Sequence, residues 1–265
     1  MQIKNKYFFI YFFSLFLFNI SLNAEEFNIT AKEILLDKDN EILIGSGTVK
    51  ALDSEGKSIT ANKITYEKEK EFLLAEGNVK ISDIEGNSLL ANKATYDKIN
   101  EKIITFDYTE LILKEGYKLT TKNISYDTKG KVLSSKNDSI FTDTDGNIVE
   151  TTMFQYNIKK NLFSSLGKIK IIDINKNKYF FKELHVDTKK KEMIGSDISV
   201  ILDEESFGLS KENDPRFAAN DIIITKNTVD LSKGVFTVCK IRENKCPPWS
   251  LKARKIRHDK VKKTI

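Results

Sequence analysis

Residues 58–67 read SITANKITYE and residues 88–97 read SLLANKATYD, so two similar stretches start 30 residues apart. The same 30-residue spacing continues along the chain. An aromatic or aliphatic residue followed by an acid or amide recurs every 30 residues, at Tyr66-Glu67, Tyr96-Asp97, Tyr126-Asp127, Tyr156-Asn157 and Val186-Asp187. This register over five copies predicts a repeat architecture that runs through the chain.

Each repeat contains two turn signals. One is Asp-x-x-Gly, beginning at Asp53, Asp83 and Asp143, and the other is a charged stretch such as residues 67–70. The segments between them are rich in Ile, Val, Thr, Tyr and Phe with period-two alternation, which predicts β-strands. Connections this short suit hairpins, so we expect an all-β antiparallel meander of about 14 to 16 strands, two per repeat.

The first strand of each repeat carries an irregularity. Ile59 and Ala61 share one face, but the next apolar pair, Ile64 and Tyr66, follows after a step of three. That step moves side chains to the other face unless the strand bulges at Asn62-Lys63. The partner strand has residues that tolerate left-handed geometry along the same line, at Gly47, Gly77, Asp107, Asn137 and Gly167.

Both irregularities predict a sheet that is creased along its midline. Such a sheet doubles over into two facing walls with an apolar trough between them. A β-sandwich or solenoid whose core is simply packed remains an alternative interpretation of the same periodicity.

Residues 1–24 are typical of a secretory signal. Lys4 and Lys6 precede an apolar run from residue 7 to residue 20, and small Ala24 precedes two acids. The run is shorter than the roughly 20 residues that a membrane-spanning helix needs, so we expect cleavage after Ala24. The mature domain would then be residues 25–265.

Composition excludes several classes of function. The chain has 43 basic and 38 acidic residues, and without the two leader lysines the excess is too small to indicate nucleic acid binding. Only two cysteines and two histidines are present, and no nucleophile–base pair or nucleotide-binding loop is recognisable. We therefore expect neither an enzyme nor a metal or other cofactor.

The last third carries a more specific pattern. It runs from Val235-Phe236-Thr237-Val238-Cys239 through Cys246-Pro247-Pro248-Trp249 to Ile256-Arg257-His258-Asp259. This series resembles the end of the periplasmic domain of the LptD family of outer-membrane lipopolysaccharide-assembly proteins. The upstream repeats look like the OstA-type domain that this family shares with the soluble bridge protein of the same pathway. The resemblance covers roughly residues 26–265.

The resemblance implies a periplasmic β-jellyroll at the outer membrane. Its open interior would receive the acyl chains of lipopolysaccharide from the bridge protein and pass them to an outer-membrane barrel. A barrel and a lipoprotein plug are implied as partners by the family alone. Such a barrel needs roughly 260 residues by itself, so we expect a domain truncated before the barrel. The alternatives are a free-standing bridge protein of the same pathway and a β-helix that acts on polysaccharide.

Candidate site residues follow from the repeat. We predict acyl contact at the inward apolar positions Ile59, Ile64, Tyr66, Leu89, Tyr96, Leu119, Ile124, Tyr126, Val149, Phe154 and Tyr156. The first strand, with Ile29, Ile34 and Leu36, would be an unpaired edge where the bridge protein adds a strand.

The cysteines and the tryptophan of the last third give further expectations. Cys239 and Cys246 are close enough in sequence for a local disulfide, with free thiols as the alternative. The resemblance instead implies that cysteines at this place join the domain to the barrel. Trp249 is expected as a core anchor.

Overall fold

The computed structural model describes residues 27–53, 56–114, 116–203, 213–242, 247–259, 261–262 and 264. This part of the chain contains 19 β-strands and no helix. The strands are β1 Asn28–Thr30, β2 Glu33–Asp37, β3 Ile42–Leu52, β4 Ser58–Glu67, β5 Phe72–Ser82, β6 Ser88–Asp97, β7 Lys102–Ile112, β8 Lys118–Lys122, β9 Ser125–Asp127, β10 Val132–Ser135, β11 Ser139–Thr142, β12 Ile148–Thr151, β13 Phe154–Asn157, β14 Leu162–Ile172, β15 Lys178–Asp187, β16 Glu192–Ile201, β17 Arg216–Ile224, β18 Thr228–Thr237 and β19 Leu251–Asp259.

The strands form one antiparallel meander, as predicted. Each long strand pairs with the next along the chain, from β3–β4 to β18–β19. Four long strands are interrupted near their middle and count twice, namely β1/β2, β8/β9, β10/β11 and β12/β13. The 19 segments therefore make 15 long strands, which agrees with the predicted number.

One end of the hairpins carries turns of the Asp-x-x-Gly type, which we call the Gly-turn row. These turns begin at Asp53, Asp83, Leu113, Asp143 and Asp173. The Gly86 N–H donates to the Asp83 carbonyl at 3.4 Å, and Gly86 has φ of +96°. The Asp83 carboxylate accepts from the backbone N–H of Asn87 at 2.9 Å. Aspartate at the first position and glycine at a left-handed position are the residues that such a turn favours.

The other end carries the charged turns, which we call the charged-turn row: residues 37–41, 67–71, 97–101, 127–131, 157–161 and 187–191. The acid or amide at the first position closes five of these six turns by accepting a backbone N–H three residues later, at residues 37, 97, 127, 157 and 187. Asp97 accepts from the Asn100 N–H at 2.9 Å, and Asn157 accepts from the Lys160 N–H at 2.9 Å. The 30-residue spacing of this polar residue therefore reflects a local capping bond.

The predicted crease is present. In β4, Ile59, Ala61 and Ile64 are buried, whereas Asn62 and Lys63 between them are exposed. The pairing register shifts at this line between β4 and β5, and similar shifts occur in the β3–β4, β5–β6, β6–β7 and β14–β15 pairs. Irregularities in successive strands lie side by side and bend the whole sheet.

Left-handed residues occupy the crease, with one correction. Gly47, Gly77, Asp107 and Gly167 have positive φ, as predicted. The prediction for Asn137 is wrong, because the left-handed residue in this region is Asn123, with φ of +52°.

The physical reason is that the strand stops at this point. Strand β10 ends at Ser135 and β11 begins at Ser139. The Asn137 side-chain amide bridges the gap by donating to the Lys122 carbonyl at 3.1 Å. A short loop here replaces the bulge that the other repeats use.

The crease folds the sheet into two facing walls. Three clusters of buried apolar residues follow one another along the chain, and each combines side chains from both sides of the crease. In the first cluster, for example, Ile59 on the Gly-turn side packs with Ile64 and Leu73 on the charged-turn side. The fold is therefore a creased antiparallel sheet with its apolar faces turned inward.

Candidate functional site

A cavity of about 620 Å³ lies between the walls in the first half of the sheet. Its surface is mainly apolar, and polar groups lie at its margin. The lining residues are Phe27, Asp53, Lys57, Ile59, Ile81, Ser82, Asp83, Ile84, Glu85, Asn87, Ser88, Leu89, Tyr96, Ile103, Leu111, Leu113, Tyr126, Thr128, Lys131, Leu133 and Ile158.

The two rows of turns form the lips of this trough. Lys57 and Asp83 come from the Gly-turn row, and Thr128 and Lys131 come from the charged-turn row, yet all four line the same cavity. The surroundings of the Tyr126 phenol also show that the two rows of turns lie close together. Burial raises its pKa, and the Lys57 ammonium of the facing wall opposes that rise. Charged groups therefore stand at the mouth and apolar side chains stand inside it.

The floor of the trough, along the crease, is closely packed. Ile64 and Ile124 are fully buried there, and Phe154 is nearly so. Where the strands are interrupted, hydroxyl groups replace alkyl groups. The Thr105 hydroxyl accepts from the Ile124 N–H at 2.9 Å and from the Thr109 hydroxyl at 2.7 Å. These bonds satisfy polar groups that the broken ladder leaves buried.

Aromatic side chains, namely Phe27, Tyr96 and Tyr126, form part of the cavity lining. Phe27 lines it and makes edge contacts with Tyr66 and Tyr96, with ring centroids 5.8 and 5.9 Å apart. Further along, Phe141 lies 4.8 Å from Phe154 in the cluster that also contains the lining residue Leu89. The open volume is thus bordered by rings.

Four of the eleven residues predicted to contact acyl chains line the cavity: Ile59, Leu89, Tyr96 and Tyr126. The other seven do not line it. Ile64, Leu119, Ile124 and Phe154 are buried near the crease, and Tyr66, Val149 and Tyr156 are half-buried against the clusters. Contact with lipid stays a prediction for all eleven.

Several lining residues were not predicted from the sequence. Ile81, Ile103, Leu111 and Leu133 come from the second strand of their repeats. A signal for them exists, because Ile81 and Leu111 are 30 residues apart, as are Ile103 and Leu133. Inward positions of both strands in each hairpin build the walls.

The first long strand is an edge of the described sheet. Strands β1 and β2, which contain Ile29, Ile34 and Leu36, pair with β3 and with no other described strand. Ile34 and Leu36 are 53% and 55% exposed. Strands β1 and β2 therefore form an edge of the described sheet, and partner docking at Ile29, Ile34 and Leu36 stays a prediction.

The cysteine and tryptophan predictions have different outcomes. The Cys239 thiol is half-buried and has no disulfide partner among the described residues, and the Thr237 hydroxyl beside it lowers its pKa. Cys246 lies outside the described residues, so pairing with Cys239 stays a prediction. The core-anchor prediction for Trp249 is wrong, because its side chain is 49% exposed. Its backbone carbonyl accepts from the Thr237 hydroxyl at 2.9 Å, so the main chain makes the attachment.

Other predictions fall outside the described part of the chain, including the leader at residues 1–24. Within the described ranges, no helix is both long and apolar enough to cross a membrane. The same ranges hold no group of three or more His, Cys, Asp or Glu side chains arranged to bind a metal ion.

Fold and cavity together define an all-β protein with an open apolar trough. No protein-family model matches the chain, and no curated protein sequence matches it. Among solved structures it is similar to LptH of Pseudomonas aeruginosa, described as the LptA-homologous periplasmic component of the conserved lipopolysaccharide transport device. The identity is 16%, the TM-score is 0.38, and the match covers 41% of this chain and 80% of LptH. This likeness is partial, and the fold assignment rests on the strand pairing described above.

Proposed function

We propose that this protein carries lipopolysaccharide across the periplasm towards the outer membrane, with the acyl chains held in the trough. One observation carries the proposal: a cavity of about 620 Å³ between facing apolar walls, with both rows of turns at its mouth. Small-molecule sites typically enclose about 300–1,000 Å³, so the volume suits a ligand and exceeds a packing defect.

The energetics suit an amphipathic ligand. Each methylene that leaves water contributes about 0.8 kcal/mol, so a few acyl chains supply ample affinity without any covalent step. Sugars and phosphates would stay at the lips, among groups such as Lys57, Asp83 and Lys131. Carriage of this kind requires no catalytic group.

The series from Val235 to Asp259 resembles the LptD family, and this resemblance supports the proposed pathway and the proposed step within it. We propose that the chain acts as the periplasmic domain of an LptD-like assembly protein and receives lipid from a bridge protein. The exposed apolar edge of β1 and β2 is the proposed entry side.

Site-specific photo-crosslinking tests the lipid site. A photoreactive amino acid replaces Ile103, which lines the cavity, or Ile104, the adjacent isoleucine. Side chains of successive strand residues point to opposite faces, so Ile104 is a matched control on the outer face. Both side chains are partly buried, which keeps their effects on folding similar.

We expect ultraviolet light to attach lipopolysaccharide at position 103 and not at position 104. Equal labelling at the two positions would indicate non-specific adsorption. Absence of labelling at 103 in cells that export lipopolysaccharide would refute the proposed function.

Proline substitution tests the docking edge. Alternate residues of an edge strand direct their N–H groups to the neighbouring strand or to the free edge. Leu35→Pro and Leu36→Pro therefore remove different N–H groups, one of which bonds within the sheet. Whichever of the two variants removes the N–H that points to the free edge should abolish cross-linking to the bridge protein and retain thermal stability. Unchanged cross-linking in both variants would contradict edge docking.

A further inference from the structure

The charged-turn row changes sign along the trough. Its first three turns contain four lysines and eight acids, a net charge of −4, at residues 37–41, 67–71 and 97–101. Its last three contain seven lysines and two acids, a net charge of +5, at residues 127–131, 157–161 and 187–191. One lip of the trough is thus acidic near the entry edge and basic further along.

Lysines in the two halves of the row have different surroundings. In the acidic half, Lys70 pairs with Glu67 at 2.5 Å and Lys98 pairs with Glu71 at 3.7 Å. Of the seven lysines in the basic half, only Lys190 has an acidic partner within 4 Å among the described residues.

The basic turns also contact each other. The Lys159 ammonium donates to the Lys129 carbonyl at 2.7 Å, which holds two positive turns side by side. Positive groups that outnumber the nearby counter-charges produce a local field that attracts an anion.

The basic half adjoins the cavity. Lys131 is half-buried and lines it, together with Thr128 of the same turn and Ile158 of the next. The facing Gly-turn row offers carboxylates, such as Asp83, whose oxygens accept bonds from Asn87 at 2.7 and 2.9 Å. The facing lip also holds Lys57, which lies 3.8 Å from the Asp53 carboxylate, so an anion at this mouth is attracted more strongly to the charged-turn lip.

We propose that the turns at 127–131 and 157–161 form a subsite for the phosphate of a phosphorylated glycolipid whose acyl chains occupy the cavity. Lys129, Lys131 and Lys159 supply the ammonium groups. Successive turns of the row are two strands apart, about 10 Å, a distance that flexible lysine side chains can bridge. This inference rests on the proposed function and adds which lip takes the headgroup.

A triple neutralisation tests the subsite. The variant Lys129→Gln, Lys131→Gln, Lys159→Gln is compared with Lys38→Gln, Lys68→Gln, Lys70→Gln, which removes the same charge from the acidic half of the row. Both are made in the full chain. The probes are bis-phosphorylated lipid A, the same lipid after enzymatic removal of its phosphates, and inorganic phosphate as a competitor.

We expect the first variant to bind bis-phosphorylated lipid A about tenfold more weakly, because the screened contacts of three lysine charges at or near the surface together correspond to roughly one tenfold change in affinity. Its affinity for the dephosphorylated lipid should be unchanged, and the control variant should match the parent with both lipids. Added inorganic phosphate should compete poorly, since it lacks the chains.

Three results would overturn the subsite: unchanged binding of bis-phosphorylated lipid A by the first variant, equal weakening in the control variant, or full displacement by inorganic phosphate. Failure of the proposed function is distinguishable. In that case neither lipid would be cross-linked to a photoreactive amino acid at position 103 when all the lysines are retained.

Discussion

Two inward-facing isoleucines, one packed at the crease and one at the cavity, should respond differently to truncation. Ile64 is fully buried at the crease, where Ile64→Ala removes packed methyl groups and leaves a void. Such substitutions cost about 2–5 kcal/mol. Ile103 already borders open volume, so Ile103→Ala only enlarges an existing space, and we expect a cost of about 1 kcal/mol or less.

Thermal and urea unfolding of the lipid-free protein measure this difference. For a domain of this size, 1 kcal/mol corresponds to roughly 2–4 °C in Tm. Ile64→Ala should therefore lower Tm by about 4–20 °C and Ile103→Ala by no more than about 4 °C. Equal losses of stability for the two variants would mean that the space beside Ile103 is filled, and the trough would then be a packed core.

Three further predictions concern the frame of the trough. Gly77→Ala should destabilise the crease by about 1–2 kcal/mol in urea unfolding, because Gly77 has φ of +75° and a Cβ would lie 2.6 Å from the Asn62 amide. Thr105→Val should cost about 1–3 kcal/mol by the same assay, since it leaves a buried backbone N–H without its acceptor, whereas Thr105→Ser should be milder. Burial and the hydrogen bond to Asp173 raise the pKa of Tyr179 to about 12. Its contribution to stability should be complete below pH 10.0, the ordinary pKa, and fall as the pH rises to about 12, a dependence that Tyr179→Phe should remove in pH-dependent unfolding.

Much of the frame is predictable because it depends on short-range chemistry. The three-residue step between Ala61 and Ile64 forces a choice between a bulge and an exposed apolar face, and the bulge is observed. Turn positions are predictable for the same reason. The Asp83 carboxylate accepts a hydrogen bond within the turn, and Gly86 adopts the positive φ that the turn requires. Repetition of such local signals is enough to predict a creased meander.

The missed features depend on relations between distant segments. Asn137 has the side chain for a left-handed position, but the break between β10 and β11 removes the need for one. Trp249 is large and apolar, yet it precedes the last described long strand, where no further described strand covers its ring.

The cavity is the least predictable part. Whether Ile59 faces open volume while Ile64, five residues later, is packed depends on how far the walls diverge from the crease. Alternation along a strand indicates which face is inward, but it carries no information on wall separation.

A crystal structure of the chain with a glycolipid that carries bromine on its acyl chains tests the central claim most directly. We predict anomalous density between the walls, close to Ile59, Ile103 and Tyr126, with the headgroup at the basic turns. Bromine found only on the outer faces of the sheet, or walls closed onto each other by their own side chains, would contradict the account.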